Sequence, residues 1–434
     1  MPLPFVQSRL ANGLTVIVHE TDRVPLVAVN VWYRVGSKHE VPGLTGLAHL
    51  FEHLMFEGAV HQPRGYFEPL QQAGAALNGS TSADRTNYWE TVPTSALRLA
   101  LWMEADRMGW MAPALTEARF RTQRDVVINE RRQSYENRPY GKSSFALLRA
   151  VFPEGHPYRW PTIGYVPDLE RATVDDARAF LQRFYHPGNA SLVVAGHVKA
   201  SDAFALVDEL FGAIPGGAAA DPVIVPEFEP VATRTWFEDR VELPRLYMVW
   251  PTPGIFAGGD AELDLAADLL ANGRTSRLYR RLIHDRRLAA DVAASQSSRH
   301  AGSFFQIVAT AAPGTALDTL EAAITEEIAR LGADGPTEDE LARGRAQAEA
   351  AFVYRVQALG GFGGLADQLN AYFNTGRSPD SFDDDLVRYT SATAAGIQAA
   401  AARWLAPARG SVLSVVPAGR PELKVANAEP AGDL

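Results

Sequence analysis

The chain repeats itself once, and this repetition limits its possible folds more than any other feature. The segment ATVDDARAFLQRFYHPGNASLVVAGHV (172–198) aligns with ATAAGIQAAAARWLAPARGSVLSVVPA (392–418), about 220 residues further on. Each copy reads as an Ala-rich helix, a Pro-marked turn and a β-branched strand. The matched pairs are Arg183 with Arg403, Phe184 with Trp404, Pro187 with Pro407 and Ser191 with Ser411. A period this long excludes a solenoid and predicts two domains of one fold.

The boundary between the two copies is predicted where Gly and Pro cluster. IPGGAAADPVIVPEFEP (214–230) lacks helical periodicity. We therefore predict an N-terminal domain over residues 1–215, a linker over 216–232 and a homologous C-terminal domain over 233–434. Strands and helices do not alternate strictly within a copy, which predicts an α+β fold of two duplicated α/β-sandwich domains.

The first copy has readable local signals. RLANGLTVIVHE predicts a hairpin that turns at Asn12-Gly13, and PLVAVNVWYRVGS has the alternation of a strand. Helical spacing follows over Gly43–Glu57, Thr94–Met111 and Thr116–Tyr135. These elements place the polar motifs discussed below on helices and strands.

Composition excludes several classes of function. A net charge of −10 and a pI near 5.5 disfavour nucleic acid as the main partner, because phosphate binding needs a basic face. The chain has no cysteine, so disulfides and thiolate metal sites are excluded and any metal must be held by histidine and carboxylate. No apolar run reaches the roughly 20 residues of a membrane span, so no membrane role is predicted. No signal-peptide pattern is visible at the start. We expect a cytoplasmic protein, or a periplasmic one if a signal peptide has been removed.

The stretch HLFEH (His49–His53) has the spacing of a metal site on a helix. An apolar stripe at helical spacing surrounds it, formed by Leu47, Leu50, Phe51 and Leu54. His49 and His53 are four residues apart, so both imidazoles project from one helix face and can meet one tetrahedral ion. Glu52 precedes the second histidine, where its carboxylate can reach a water beside the metal. A chance grouping of polar residues is the alternative reading.

A third ligand is needed for a catalytic zinc, which keeps its fourth position open. RTQRDVVINERRQSYENRP offers Glu130 on a helical segment, where Val126, Val127 and Glu130 can share the inward side. An acidic residue in an ERR context is also typical of a solvated or ion-paired group. The residues alone leave both readings open.

The order of these motifs resembles the pitrilysin family of inverzincins, which includes insulin-degrading enzyme and mitochondrial processing peptidase. H-x-x-E-H is followed after about 76 residues by a glutamate in an N-E-R-R context. NGLTVIV, GSKHEVPGLTGLAHLFEHLMFEGA, ALNGSTSADRTNYWETVP and DLLANGRTSRLYRRLI also resemble family segments, in the family's order. The resemblance covers most of the chain and implies half of a clamshell that closes around a peptide.

The resemblance implies a zinc metalloendopeptidase acting on oligopeptides or unfolded segments. His49, His53 and Glu130 would bind one zinc ion, and Glu52 would pass a proton from water to the leaving amine. Cobalt or manganese is an alternative metal for such a site. Asn78 would bind the substrate backbone, although an Asn before Gly79 is equally typical of a turn. The strand near 76–82 would be a sheet edge to which an extended peptide adds.

Two departures from the family pattern concern the site. The family often has a glutamate seven residues before the third ligand, and this chain has Gln123 there. The family's helper arginine and tyrosine, in a segment resembling L-R-x-x-x-x-L-x-Y, fall on Ile283 and Ala290 of LIHDRRLAADV. Neither side chain can hydrogen-bond an oxyanion. Arg286 or Arg287 could substitute, but a solvated basic turn is the plainer reading.

The second copy is predicted to lack a metal site, with Arg277, Arg280 and Arg281 at the positions of the zinc helix. We therefore expect the chain to be the catalytic subunit of a heterodimer, whose homologous partner without zinc supplies the arginine and tyrosine. A self-sufficient homodimeric oligopeptidase and a non-catalytic scaffold subunit are the alternatives.

Overall fold

A computed structural model describes residues 3–225 and 227–433; Pro226, within the predicted linker, lies outside the described residues. The strands are β1 (Val6–Arg9), β2 (Thr15–Glu20), β3 (Leu26–Tyr33), β4 (Ala76–Thr81), β5 (Thr86–Pro93), β6 (Ala190–Gly196), β7 (Arg234–Asp239), β8 (Arg245–Thr252), β9 (Ala289–Ser297), β10 (Ser303–Ala311), β11 (Ser411–Pro417) and β12 (Glu429–Pro430). The helices are α1 (Leu47–Leu54), α2 (Phe67–Gln72), α3 (Leu97–Ala114), α4 (Glu117–Arg131), α5 (Ser143–Val151), α6 (Val166–Arg171), α7 (Val174–Phe184), α8 (Ala200–Phe211), α9 (Asp260–Ala271), α10 (Leu317–Asp334), α11 (Glu338–Arg355), α12 (Leu365–Asn374), α13 (Phe382–Thr390) and α14 (Ala394–Trp404). The predicted α+β class is confirmed.

The chain forms two compact units that are assembled from separate segments. The first unit contains Met1–Glu130, Pro161–Val223 and Ala351–Asp385, and the second contains Arg131–Trp160, Ile224–Ala350 and Leu386–Leu434. The predicted domain limits at 215 and 233 therefore remain a proposal about where the two sequence copies meet.

The first unit is built on a six-stranded sheet in the order β1-β2-β6-β3-β5-β4. β2 and β6 run parallel, and the other neighbours are antiparallel. β3 and β6 are buried along almost their whole length because helices cover the sheet, with α12 packing against β6 and β3 and α3 against β3 and β5. β4 is an edge strand, as the sequence predicted for residues 76–82.

The second unit repeats this plan with a six-stranded sheet in the order β12-β7-β11-β8-β10-β9. Its core contains Trp250, Leu269, Ile307, Ile324 and Val416, all at most 1% exposed. β9 takes the edge position that β4 has in the first sheet.

The predicted repeat is confirmed element by element. α7, a 3₁₀ turn at Pro187–Asn189 and β6 form the first copy; α14, a 3₁₀ turn at Pro407–Arg409 and β11 form the second. A threonine caps each helix, since Thr173 accepts the N–H of Asp176 and Thr393 accepts that of Gly396. Equal helix, turn and strand lengths follow from this shared sequence pattern.

The predicted counterpart of the zinc helix in the second copy was wrong. α9 is the equivalent of α1, because it follows β8 as α1 follows β3, and these two strands have the same place in their sheets. Each helix also starts after a glycine with positive φ, Gly46 (φ 92°) and Gly259 (φ 98°). Arg280 and Arg281 lie instead in the later π-helical segment Tyr279–Asp285. Arg277, Arg280 and Arg281 have the same sequence spacing as His49, Glu52 and His53, but they follow α9 and do not lie on it.

Candidate metal centre

The position of α1 is set by a cap at its first turn. The buried carboxylate of Glu40 accepts the N–H groups of Gly46 at 2.9 Å and Ala48 at 2.8 Å, which satisfies donors that a helix start leaves unpaired. The predicted apolar stripe is confirmed: its four members are at most 5% exposed, namely Leu47, Leu50, Phe51 and Leu54. α1 packs against β4 and β5, and the polar face with both histidines lies away from that stripe.

α4 brings the third polar group to this face. Val127 and Ile128 anchor the helix and are 0% and 6% exposed, respectively. Val126, predicted to share the inward side with Glu130, is 41% exposed, so that part of the prediction was wrong. Viewed along the helix axis, Val126 lies about 40° to one side of Glu130 and Val127 about 60° to the other side. Only the side of Val127 packs inward.

His49, His53 and Glu130 converge on one point. Nε2 of His53 lies 3.3 Å from Oε2 of Glu130, and Nε2 of His49 lies 3.8 Å from the same oxygen. The two imidazole rings have centroids 4.9 Å apart and planes at 75°. Within the described ranges these residues form the one group of three His, Asp or Glu side chains whose possible ligand atoms all lie within 4.8 Å of one another.

The separations fit a tetrahedral metal ion. Zinc bonds of about 2.0–2.2 Å to nitrogen and oxygen place neighbouring ligand atoms about 3.3–3.5 Å apart in a tetrahedron. The two measured separations from Oε2 of Glu130 lie at or a few tenths of an ångström beyond this range. Two imidazoles and one carboxylate are also a donor set that zinc accepts.

The charges of two of the three candidate ligands, His49 and Glu130, suit a metal ion without further change. Burial, reinforced by the neighbouring His53, lowers the pKa of His49 to about 4, so its imidazole is neutral at pH 7. The hydrogen bond to His53 lowers the pKa of Glu130, which keeps this carboxylate ionised. Burial alone would lower the pKa of His53, but the hydrogen bond and charge of Glu130 raise it. A metal ion would compete with that proton for His53.

Glu52 lies beside this cluster and is held by the edge strand. The hydroxyl of Thr81, in β4, donates to Oε2 of Glu52 at 2.7 Å. Burial raises the pKa of Glu52, while the Thr81 hydrogen bond and the nearby His53 and Arg85 oppose that rise. A carboxyl group whose pKa moves toward neutrality is suited to take up and release a proton.

Thr81 has a role that the sequence reasoning missed. Thr81 lies in ALNGSTSADRTNYWETVP, one of the segments that resemble the family, so the signal was present. Thr81 pairs with Thr86 and Asn78 with Trp89 in the β4–β5 register. Since successive side chains alternate between the faces of a strand, Asn78 and Thr81 point to opposite faces.

Asn78, the predicted substrate-binding residue, is exposed on the edge strand and lies on the face opposite Glu52. Its Oδ1 accepts the N–H of Gly79 at 2.8 Å, a local contact of the kind that the turn-forming alternative invokes. Its substrate-binding role stays a prediction.

The residues at the positions that depart from the family pattern differ in burial and in hydrogen bonding. Gln123 lies on the same face of α4 as Glu130, and its Nε2 donates to Oε1 of Glu57 at 2.6 Å. Ile283 is half-buried against the core of the second unit, and Ala290 is exposed on β9. Arg286 and Arg287 are exposed at the turn before β9, as expected for a solvated basic turn.

Two of the arginines that follow α9 are held by carboxylates. Arg277 donates to both carboxylate oxygens of Glu340, at 2.9 and 2.7 Å, and Arg281 forms ion pairs with Glu326 and Glu327. These contacts give the two arginines a structural role in the second unit.

Comparison with known proteins assigns the chain to a family of peptidases. The family model described as Insulinase (Peptidase family M16) matches residues 15–163, and the model described as Peptidase M16 inactive domain matches residues 171–348. The first match contains all four residues of the candidate centre, and the second contains α9 and the arginines that follow it. The chain belongs to the M16 peptidase family.

Individual relatives agree with this assignment. The chain is 29% identical to the zinc protease PqqE of Helicobacter pylori over 367 residues, which cover 83% of this chain and 82% of that protein. It is 25% identical to an uncharacterized zinc protease, YmxG, of Bacillus subtilis, over 80% of this chain and 83% of that protein. The crystal structure of a protease from Helicobacter pylori superposes with a TM-score of 0.88 at 24% identity, covering 96% of this chain and all of that one.

Across residues 3–225 and 227–433, no helix is both long enough and apolar enough to cross a membrane.

Proposed function

We propose that this chain is a zinc-dependent metalloendopeptidase. The observation that carries the proposal is the convergence of His49, His53 and Glu130 on one point, with the carboxylate of Glu52 beside them. The names of the relatives as zinc proteases support the same conclusion. The alternative reading of Glu130 is an ion-paired surface glutamate. Such a glutamate would not need the imidazoles of both His49 and His53 to face one of its oxygens.

The ligands of the metal would be Nε2 of His49, Nε2 of His53 and Oε2 of Glu130. When bound, zinc polarises water and the scissile carbonyl and lowers the pKa of that water toward neutrality. The three side chains present one negative charge, which leaves a net positive centre for a developing oxyanion.

Glu52 would transfer the proton. Its carboxylate accepts a proton from the attacking water and then donates that proton to the amine nitrogen of the leaving peptide. Thr81 holds Oε2 of Glu52 at 2.7 Å, so the second oxygen is the one available to water. The raised pKa of Glu52 favours uptake of the proton from water.

The substrate would bind along β4. An edge strand presents a row of N–H and C=O groups on its outer side, and an extended peptide can pair with it through main-chain hydrogen bonds. Thr81 joins that strand to Glu52, so a peptide added there runs past the metal centre. Recognition through the main chain predicts loose side-chain specificity and a preference for oligopeptides or unfolded segments over folded proteins.

A partner chain would complete the site. Ile283 and Ala290 cannot supply the arginine and tyrosine that the family resemblance implies, so we propose a homologous subunit without zinc as their source, in a heterodimer. A homodimer that works without this pair is the rival enzyme. A scaffold role is less well supported, because a scaffold does not need His49, Glu52, His53 and Glu130 to be grouped.

The experiment is hydrolysis of quenched-fluorescent oligopeptides by the purified chain loaded with zinc. Wild type, wild type with a chelator and the Glu52→Gln variant are compared, with the exposed Glu68→Gln as the matched control. The proposal predicts weak but chelator-sensitive hydrolysis that Glu52→Gln abolishes and Glu68→Gln retains. Turnover at ordinary enzyme rates by the isolated chain would contradict the proposal that a partner chain completes the site. If the zinc-loaded chain hydrolyses no peptide, either alone or with a non-zinc homologue, the proposed peptidase activity is contradicted.

A further inference from the structure

The loop between α11 and α12, in the first unit, presents a phenylalanine to solvent. Residues 360–364 read GGFGG, and Phe362 in the middle is 51% exposed. Gly361 and Gly363 have positive φ, 86° and 71°, a conformation that residues other than glycine rarely adopt. The N–H of Gly363 donates to Oδ2 of Asp367 at 2.8 Å, which ties the loop to the first turn of α12. The backbone of the loop, and not burial, therefore sets the position of the phenylalanine ring.

Phe362 packs on a tryptophan of the first sheet. Its ring meets that of Trp89 edge to face, with centroids 5.5 Å apart and planes at 84°. Trp89 lies in β5 two residues after Asn87, so both side chains project from the same face of the sheet. Asn87 donates to Oδ1 of Asp367 at 3.0 Å, so this is the face that α12 covers. Glu52 lies on the other face, with the metal ligands.

The aromatic pair lies beside the edge strand. Asn78, in β4, is paired with Trp89 in the β4–β5 register, so their side chains share one face. Since Asn78 is exposed, Trp89 is half-buried and Phe362 is half-exposed, the two rings remain accessible next to this edge. A peptide that adds to β4 directs every second side chain to the same face.

Strand spacing limits which side chains of such a peptide can meet the aromatic pair. Neighbouring strands lie about 4.8 Å apart, so a peptide added to β4 runs about 10 Å from β5. Aromatic and long side chains make contacts across about 7–8 Å between strands. The indole of Trp89 together with a large apolar side chain of the peptide covers the separation, whereas alanine leaves it to water.

We propose that Trp89 and Phe362 form an apolar subsite for one large side chain, aromatic or branched aliphatic, of the peptide bound along β4. Removing the exposed phenylalanine ring and the ligand side chain from water together favours binding. The subsite adds selection at one position to main-chain pairing, which leaves the other positions loosely selected. This inference rests on the proposed function in taking β4 as the strand that receives the peptide.

The test is binding of fluorescein-labelled oligopeptides to the zinc-loaded Glu52→Gln chain, which should bind a peptide without cleaving it. Two peptides differ only in their central residue, phenylalanine or alanine, and fluorescence anisotropy gives both Kd values. The same background also carries Phe362→Ala, Phe362→Leu or the control Trp102→Ala, an exposed aromatic on α3, which packs on the other face of the sheet.

The ratio of the two Kd values is the quantity that decides. We expect the Glu52→Gln chain to bind the phenylalanine peptide about 10-fold more tightly than the alanine peptide. Phe362→Ala should reduce this ratio about 3- to 10-fold, the contribution of an edge-to-face aromatic contact. Phe362→Leu keeps a large apolar side chain and Trp102→Ala leaves the subsite intact, so both should retain most of the preference.

The outcomes separate this inference from the proposed function. Equal binding of the two peptides by the Glu52→Gln chain would overturn the subsite, as would a Phe362→Ala variant that keeps the ratio or weakens both peptides equally. A chain that binds neither peptide would overturn it as well. Hydrolysis of the same peptides by wild type decides the peptidase separately. If wild type cleaves neither peptide while the phenylalanine preference depends on Phe362, the peptidase is contradicted and the subsite stands.

Discussion

The hydroxyl of Thr81 lies 2.7 Å from Oε2 of Glu52, so the edge strand of the first sheet and the helix that carries both histidines meet at one carboxylate. In the proposed peptidase this contact would link substrate binding to chemistry, since β4 would offer main-chain groups to a substrate and α1 would carry the catalytic groups. A hydrogen bond to a charged group contributes about 1.5–3 kcal/mol.

Removing the Thr81 hydroxyl should impair catalysis more than folding. We expect Thr81→Val to lower kcat/KM for an oligopeptide about 10- to 100-fold, the equivalent of that hydrogen bond. Thr81→Ser keeps the hydroxyl and should remain within a few-fold of wild type. Steady-state kinetics of both variants with equal zinc content provide the measurement. Equal activity of the valine and serine variants would show that the hydroxyl does not position Glu52.

Removing the carboxylate of Glu52 should separate metal binding from chemistry. Proton transfer by a positioned side chain contributes about 10²–10⁴-fold, so Glu52→Gln should lose at least about 100-fold in kcat. Its zinc content should stay at one equivalent, because Glu52 is not a proposed ligand. Metal analysis and peptide hydrolysis on the same sample check both halves. Loss of zinc together with activity would instead make Glu52 part of the metal site.

Zinc should stabilise the folded chain, and Glu130 should be required for this. A ligand that binds only the folded state at about 100 times its Kd adds about 2.7 kcal/mol, which raises the melting temperature by several degrees. We expect Glu130→Gln to lose most of this shift. Asp125→Asn, on the exposed side of the same helix, should keep it. Thermal scans with and without zinc make the comparison, and an equal shift in all three proteins would place the zinc elsewhere.

His39 should make the protein less stable in acid. Burial lowers the pKa of His39 to about 4, from an unfolded value near 6.5, and its Nδ1 accepts the N–H of Gly36 at 3.2 Å. As pH falls from 6.5 to 4, the unfolded chain binds a proton that the folded chain resists. Stability that is complete above about pH 6.5 is thus lost toward pH 4, by up to about 3 kcal/mol.

The His39→Asn variant isolates this effect, since its Oδ1 can accept the same N–H without titrating. Relative to its own value at about pH 7, the variant should lose less stability at about pH 4.5 than wild type does. Unfolding midpoints of both proteins across this range test the prediction. Parallel pH profiles would show that His39 is not responsible.

Much of the fold was predictable because each copy of the repeat contains residues that mark where its helix begins and where its turn lies. Thr173 and Thr393 begin the two helices, and Pro187 and Pro407 mark the turns that follow them. The division into compact units was less accessible, since residues 351–385 belong with the first unit and 131–160 with the second. Long-range packing of this kind leaves no local pattern in the sequence.

The candidate centre was predictable where spacing alone decides geometry, as for His49 and His53 on one helix face. Predicting that Glu130 lies beside these histidines required the family resemblance, because α4 is far from α1 in the sequence. The motif that contains Asn78 and Thr81 gave no hint that the two residues lie on opposite faces of β4, since only the strand register shows it.

The position of a bound metal ion is the most direct test of the proposed centre. Crystals of the zinc-loaded chain, measured at the zinc absorption edge, would locate it by anomalous scattering. We predict one strong peak about 2.0–2.2 Å from Nε2 of His49, Nε2 of His53 and Oε2 of Glu130, with Glu52 close by but not coordinated. A peak at another group of side chains, or none at this site in zinc-loaded crystals, would contradict the proposed metal centre and the peptidase built on it.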